Sequence, residues 1–237
     1  MENQLKEYNK EELIGVLKEI GYNLEEELTI YMIGGCNMSL KGIKTTTKDI
    51  DLIVQAREEY ENLKNALISL DYECHEEAFS KDFYKTPIIV FLKNNKRVDV
   101  FIKNVSNQIE LTEEMSRRSR EYNKFEKLKI MLVSNEDIFL FKSITDREKD
   151  VDDCYSLIGA GLDWGIIKHE LKFQEVKVLW RFWIYEQLCR IKTKYLITTP
   201  LENYIWKLVR EKWHLKPKDF MNGIQDERYE KDKDKNA

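Results

Sequence analysis

The sequence predicts an α+β protein, in which a mixed β-sheet is flanked by helices and followed by a helical C-terminal appendage. Over the first two-thirds of the chain, short apolar runs bounded by turn residues alternate with helix-forming stretches, which predicts about four or five strands. Two of those runs flank an Asn-Asn pair, and this arrangement predicts an antiparallel hairpin. Beyond about residue 150 the strand patterns stop and apolar residues recur at helical spacing.

The N-terminal part supplies the first predicted elements. Apolar residues at helical spacing predict a helix over 11–20, which Gly21 is expected to end. A strand is predicted over 28–33, followed by about one turn of helix over 37–40. The apolar run over 49–54 predicts the next strand.

The middle of the chain adds a helix and three strands. Helix formers with one apolar face predict a helix over 56–70. Pro87 is expected to open a strand over 88–92, which the Asn-Asn turn joins to a strand over 97–102. A further apolar strand is predicted over 128–133.

The rest of the chain is predicted to be helical. Ser134 and Asp137 have the spacing of a capping box ahead of an apolar stretch, so a helix should begin there. Apolar residues over 176–191 predict one face of a long helix, and Pro200 lies where another helix would start.

These elements suggest three segments. We expect a mixed α/β domain over 1–155 and a helical region over 156–223. Nine of the twelve residues from Asp226 onward are charged, so the tail over 224–237 is expected to be disordered.

Composition excludes several classes of protein. No apolar run approaches the roughly 18 residues that a membrane-spanning helix needs. Four scattered cysteines without a CxxC pair favour free thiols over a disulfide framework or a zinc site. The N-terminus is charged and lacks an apolar signal region, so a cytoplasmic location is expected.

Two aspartates in one strand are the strongest functional signal. Side chains two residues apart in a strand share a face, so Asp49 and Asp51 should emerge together from the apolar strand. Asp99 places another charge within an apolar strand. A divalent cation would relieve the repulsion among such carboxylates, and oxygen ligands suit Mg²⁺. The alternative is an ordinary Asp-x-Asp on a surface strand.

The glycine pair Gly34-Gly35 lies between a predicted strand and a predicted helix. Glycines there let the backbone approach a ligand closely, and the amides at the start of a helix can bind phosphate. An ordinary strand-to-helix turn is the alternative reading.

Together these residues resemble the nucleotidyltransferase fold of the DNA polymerase β superfamily. The resemblance lies in the glycine pair, the two spaced acids, the third acid on a later strand and the threonine two residues before the first acid: Gly34, Gly35, Asp49, Asp51, Asp99 and Thr47. It implies a minimal mixed sheet, a glycine loop that holds a nucleoside triphosphate, and three acids that bind two Mg²⁺ ions. An arginine that often precedes the threonine is absent, since Lys44 and Thr45 occupy those positions.

A second segment is similar to the AbiEii/MenT-like nucleotidyltransferase toxins. It comprises residues 134–142 and 146–153, and the resemblance implies that four of their side chains complete the nucleotide site: Lys142, Arg147, Asp150 and Asp153. Lys142 would present a point charge to phosphate and Arg147 a planar fork. Alternatively, Lys142 reaches solvent and Arg147 forms a helix-end salt bridge with an aspartate.

The hypothesis that follows is Mg²⁺-dependent transfer of a nucleoside monophosphate from a nucleoside triphosphate to an acceptor hydroxyl, with Asp99 also a possible general base. Residues 166–218 contain twelve Lys/Arg, five Asp/Glu and nine aromatic residues, which favours RNA contact. The resemblance points to a tRNA 3′ end within a toxin–antitoxin system, with an antitoxin protein as a further partner. A protein or small-molecule acceptor, such as an antibiotic, and a non-catalytic RNA-binding relative remain as alternatives.

Overall fold

The computed structural model describes residues 7–75, 89–105, 109–145, 147–174 and 178–213. The sequence predictions for Pro87, Val176 and the charged tail lie outside these residues. In the described part, no helix is long and apolar enough to cross a membrane.

Nine helices form within these ranges. They are α1 (Lys10–Asn23), α2 (Gly34–Leu40), α3 (Arg57–Ser69), α4 (Glu113–Arg118), α5 (Asn135–Ser143), α6 (Glu148–Gly159), α7 (Trp164–Phe173), α8 (Val178–Tyr195) and α9 (Pro200–Trp213).

Nine strands form in the same part of the chain. They are β1 (Leu28–Met32), β2 (Ile50–Val54), β3 (Glu73–His75), β4 (Ile89–Lys93), β5 (Lys96–Ile102), β6 (Asn104–Val105), β7 (Ile109–Glu110), β8 (Arg120–Phe125) and β9 (Leu128–Leu132).

Seven of these strands form one mixed sheet in the order β3-β4-β5-β2-β1-β9-β8. Strand β2 is antiparallel to β1 and parallel to β5, and β1 is parallel to β9. Strands β4 and β5 form the predicted antiparallel hairpin. The predicted fold class is therefore confirmed, since helices flank a mixed sheet and the C-terminal part is helical.

The two faces of the sheet pack against different helices. Along β2, Ile50, Leu52 and Val54 join the apolar cluster that contains α1 and α3. Ile53 points the other way and joins the cluster that contains α5 to α9. Because side chains alternate along a strand, Asp51 lies on the face covered by the C-terminal helices.

Three expectations about the elements were wrong. Gly21 does not end the first helix: it lies within α1, where a Cβ atom would overlap the backbone carbonyl of Phe125. Glycine at this position therefore lets the β8–β9 turn approach the helix. Helix α2 begins at Gly34 and includes the glycine pair, whereas the sequence predicted a start near Asn37.

The third error is the number of strands. Strands β3, β6 and β7 are only two or three residues long, too short for a periodic pattern. Strand β8 lies at the edge of the sheet and has no buried residue, so it lacks the apolar alternation that identifies a strand.

Candidate active site

The three predicted aspartates converge at one end of the sheet. Asp51 on β2 lies beside Asp99 on the parallel strand β5, and Asp49 directly precedes β2. Each side chain offers an oxygen, and these oxygens lie within 4.8 Å of one another. Asp99 is only 4% exposed, whereas the other two are partly exposed. The site is therefore reachable from solvent on the side of Asp49 and Asp51.

The glycine pair makes room for this cluster. Gly34 has φ +60°, and a Cβ atom there would overlap the carboxylate of Asp51. A Cβ atom on Gly35 would lie 2.7 Å from Oγ1 of Thr47. The sequence indicated close approach of the backbone to a ligand. In the structure, the groups that approach so closely are the chain's own acid and threonine.

Buried side chains hold the backbone beside the acids. The hydroxyl of Thr47 donates a hydrogen bond to the carbonyl of Asp49 (3.1 Å), and Thr47 is 4% exposed. The backbone N–H of Asp51 donates to Sγ of Cys36 (3.3 Å), which is fully buried. These bonds restrict the backbone that carries two of the three carboxylates.

The electrostatics of the cluster favour a cation. Burial, followed by the charges of Asp49 and Asp99, raises the pKa of Asp51 well above its usual value. Burial also raises the pKa of Asp99, although Arg97 opposes that shift. Three close carboxylates form an oxygen-only donor set, which suits a hard divalent cation such as Mg²⁺. The residues present therefore fit the metal that the fold family implies.

Arg97 belongs to this site and was missed in the sequence. Its Nε donates to one carboxylate oxygen of Asp99 (2.7 Å) and its Nη2 to the other (2.8 Å). Because these residues are two apart on β5, they share a face of the sheet. The Arg-x-Asp spacing was therefore the available signal.

A second group of charges forms where α5 meets α6. Nζ of Lys142 lies 2.8 Å from a carboxylate oxygen of Asp150 and 2.6 Å from one of Asp153. Nε of Arg147 lies 2.7 Å from Asp150. The structure thus brings together the four residues that the toxin resemblance singled out. It places the ammonium group of Lys142 against two acids, with Lys142 itself 5% exposed, so this side chain does not extend into solvent.

These charges act on the acid cluster. Lys142 and Arg147 both counter the rise in the pKa of Asp51. Burial works to raise the pKa of Asp150, but the same two cations outweigh it and lower that pKa to about 2. Asp150 is therefore held ionised by its partners.

Lys44 completes the second group. Its Nζ lies 2.7 Å from Asp153. The loop between α2 and β2, which lacks the arginine expected from the resemblance, thus contributes a cation to this network. The sequence alone did not indicate this role of Lys44, because its partner Asp153 is 109 residues away.

Some basic residues of the C-terminal region pair with acids of the protein itself. Trp180 is fully buried and belongs to the apolar core. Lys192 pairs with Glu202 (2.8 Å), and Lys194 pairs with Glu148 (3.0 Å). These contacts leave the predicted RNA interface untested, and residues 175–177 and 214–218 of the basic stretch lie outside the described part of the chain.

Comparisons with known proteins address the family. A family model described as a nucleotidyltransferase of unknown function (DUF6036) matches residues 11–193. No curated protein matches the chain. One similar solved structure, from Thermotoga maritima and provisionally assigned as a nucleotidyltransferase, is 13% identical with a TM-score of 0.44, covering 65% of this chain and 96% of that one. This structural similarity is too low to assign a function, whereas the family match spans most of the chain. The chain belongs to the DUF6036 family of nucleotidyltransferases of unknown function.

Proposed function

We propose that this protein transfers a nucleoside monophosphate from a nucleoside triphosphate to an acceptor hydroxyl, in a reaction that depends on Mg²⁺. The observation that carries the proposal is the convergence of Asp49, Asp51 and Asp99, with oxygens within 4.8 Å of one another, in a chain of the nucleotidyltransferase family. Burial and mutual repulsion make such a group costly without a cation.

The three aspartates would hold two Mg²⁺ ions, with Asp49 and Asp51 shared between them and Asp99 binding the second. When bound, these ions would neutralise charge on the triphosphate and lower the pKa of the acceptor hydroxyl. Arg97 fixes the orientation of Asp99 through two hydrogen bonds. Asp99 is also the candidate general base, because its carboxylate lies beside the acids that would bind the metal of the acceptor hydroxyl.

The nucleotide would lie between the glycine pair and the second charge group. Arg147 contacts Asp150 while its side chain remains 54% exposed, so its guanidinium is able to turn toward a phosphate. Lys142 is buried against Asp150 and Asp153, and its charge would act on the phosphates without direct contact. Gly34, Gly35 and Thr47 would shape the opposite wall, with all seven residues contributing to nucleotide binding.

The proposed transfer forms one P–O bond and breaks another. The acceptor oxygen attacks the α-phosphorus and forms a new P–O bond, while the bond to the β-phosphate bridging oxygen breaks and pyrophosphate leaves. The acceptor proton passes to a carboxylate oxygen of Asp99. Arg147 stabilises the charge on the departing pyrophosphate.

For the acceptor we propose RNA, with a tRNA 3′ end as the specific case and a toxin–antitoxin system as the setting. The excess of basic residues over 166–218 supports this choice, although several of them are paired with acids. A protein or small-molecule acceptor would use the same acids, and a non-catalytic RNA-binding relative would not need all three.

The test is incubation with each α-labelled nucleoside triphosphate and Mg²⁺, against tRNA, total RNA and total protein. Label should move to RNA with the wild-type protein and not with Asp51→Asn. Transfer of label to protein alone would mean that the acceptor is a protein and not RNA, and the proposed nucleotidyl transfer would still hold. Equal transfer by Asp51→Asn, or no transfer to any acceptor, would contradict the proposed function.

A further inference from the structure

A short N-terminal segment contacts the loop before Asp49, strand β5 and the end of α2. We call residues 7–10 the N-terminal strap. It ends in the first residue of α1, Lys10, and it lies just before the family match, which covers residues 11–193. The strap is therefore outside the matched residues, whereas the groups that it contacts lie within them.

The backbone of the strap is bonded to the loop that carries the first acid. The N–H of Tyr8 donates to the carbonyl of Thr47 (2.6 Å), and the N–H of Thr47 donates to the carbonyl of Tyr8 (3.0 Å). The hydroxyl of Thr46 also donates to the carboxylate of Glu7 (2.8 Å). This antiparallel bridge fixes the backbone two residues before Asp49.

The side chain of Tyr8 reaches the strand that carries the third acid. Tyr8 is 2% exposed, and its hydroxyl accepts a hydrogen bond from the backbone N–H of Arg97 (3.2 Å). Arg97 in turn holds both carboxylate oxygens of Asp99. One residue thus bonds the loop of Asp49 through its backbone and the strand of Asp99 through its side chain.

The ends of the strap are fixed as well. Nζ of Lys10 donates to the carbonyl of Leu40 (3.2 Å), at the last turn of the helix that begins with the glycine pair. Asn9 and Glu12 form a reciprocal capping box that sets the start of α1 (2.9 and 3.1 Å). Because α1 is packed in the core, the strap is tied to a rigid element.

We propose that the strap, through Tyr8, is a positioning element that sets the separation of Asp49 and Asp99 and thereby the affinity of the acid cluster for divalent cations. The inference rests on the proposed metal site. Tyr8 is a positioning residue because its contacts are to Thr47 and Arg97, one step removed from the carboxylates.

A purely structural role for Tyr8 has to be separated from this one. Tyr8→Phe keeps the buried ring and the backbone bridge and removes only the hydroxyl that contacts β5. The matched control is Tyr60→Phe, because Tyr60 is also fully buried in the same apolar cluster. Its hydroxyl lies 3.9 Å from Sγ of Cys74 on the edge strand β3, which is two strands from β5 in the sheet.

The experiment measures Mn²⁺ binding to the full chain by calorimetry, with amide hydrogen exchange on the same variants. Tyr8→Phe should weaken Mn²⁺ binding by up to about tenfold, because its hydroxyl lies one contact beyond the outer-shell partners whose loss costs about 10–100-fold, while Tyr60→Phe leaves it unchanged. Tyr8→Phe should also speed exchange at residues 46–49 and 97–99, and Tyr60→Phe should not.

Equal Mn²⁺ affinity in the wild type and Tyr8→Phe would overturn the inference. An equal loss in both tyrosine variants would assign Tyr8 a general stabilising role and overturn it too. If the wild type does not bind Mn²⁺, the proposed metal site fails and the affinity part of the inference falls with it. Amide hydrogen exchange then tests the positioning role of Tyr8 by itself. Faster exchange in Tyr8→Phe confined to residues 46–49 and 97–99 would support that role, and unchanged rates would reject it.

Discussion

The acid cluster and the charge group between α5 and α6 are adjacent, yet they are balanced differently. In the acid cluster, Arg97 faces three carboxylates, and the pKa of Asp51 is raised. In the second group, three cations surround Asp150 and Asp153, and the pKa of Asp150 falls to about 2. The second group is thus neutralised by the protein itself, whereas the first has three carboxylates around one directly bound arginine and could hold a cation. This contrast separates a prospective metal site from a self-sufficient ion network.

The largest effect that would sharpen this contrast is on stability. Asp150→Asn should lower the free energy of unfolding by about 3 kcal/mol, because it removes a fully buried partner of Lys142. Asp51→Asn should leave that free energy unchanged or raise it, because it removes a carboxylate whose charge is disfavoured. Urea unfolding without divalent cations measures both.

The matched control is Asp152→Asn, on the same helix as Asp150 but with a side chain that is 49% exposed. Its cost should be below about 1 kcal/mol, as for other exposed ion pairs. A loss for Asp51→Asn as large as that for Asp150→Asn would erase the contrast between the two groups.

A somewhat smaller effect is expected from the metal. Mg²⁺ at about 100 times its dissociation constant should raise the free energy of unfolding of the wild type by about 2.7 kcal/mol, because it binds only the folded acid cluster. Asp51→Asn should show almost no gain, whereas Asp150→Asn should retain one. Thermal unfolding with and without Mg²⁺ measures this, and a gain of the same size in Asp51→Asn would place the metal elsewhere.

The smallest effect concerns pH. The folded-state pKa of Asp150 is depressed to about 2, so its contribution is present above the ordinary value near 3.8 and is lost as pH falls toward 2. The contribution is about 2 kcal/mol, from the difference between the two pKa values. Asp51 should affect the free energy of unfolding in the opposite direction. Because its folded-state pKa is raised, the folded state without metal becomes less stable as pH rises above about 4.

Urea unfolding between pH 2 and 4 tests the contribution of Asp150. As pH falls, the free energy of unfolding of the wild type should decrease more than that of Asp150→Asn, which lacks this carboxylate. Parallel curves for the two proteins would show that Asp150 is not held ionised. Above pH 4, added Mg²⁺ should offset the decline attributed to Asp51.

Local sequence rules predicted the parts of the site that depend on one element. Alternation along the strand predicted that Asp51 emerges on the face opposite Ile50 and Leu52, and the hairpin turn set β4 beside β5. The capping residue Ser134 marked the start of α5, where its hydroxyl accepts from the N–H of Asp137. Each of these features involves residues a few positions apart, so a periodic pattern carries the information.

The contacts between distant segments were not visible in this way. The bond from Tyr8 to Arg97 joins residues 89 positions apart, and the pair of Lys44 with Asp153 joins residues 109 apart. Their residue types are ordinary in the sequence, and only the packing of the elements brings them together. The same holds for Gly21, whose role depends on the turn that approaches its helix.

The sequence by itself determined the fold class, the acidic residues and the strand faces from which two of them emerge. Tertiary structure decided which charges are neutralised and which are left in excess. The physical reason is that alternation and capping are properties of one segment, whereas burial and the distance between charges arise only when segments pack. Asp51 and Asp150 are both aspartates followed by an apolar residue, and their opposite pKa shifts come from neighbours that the fold supplies.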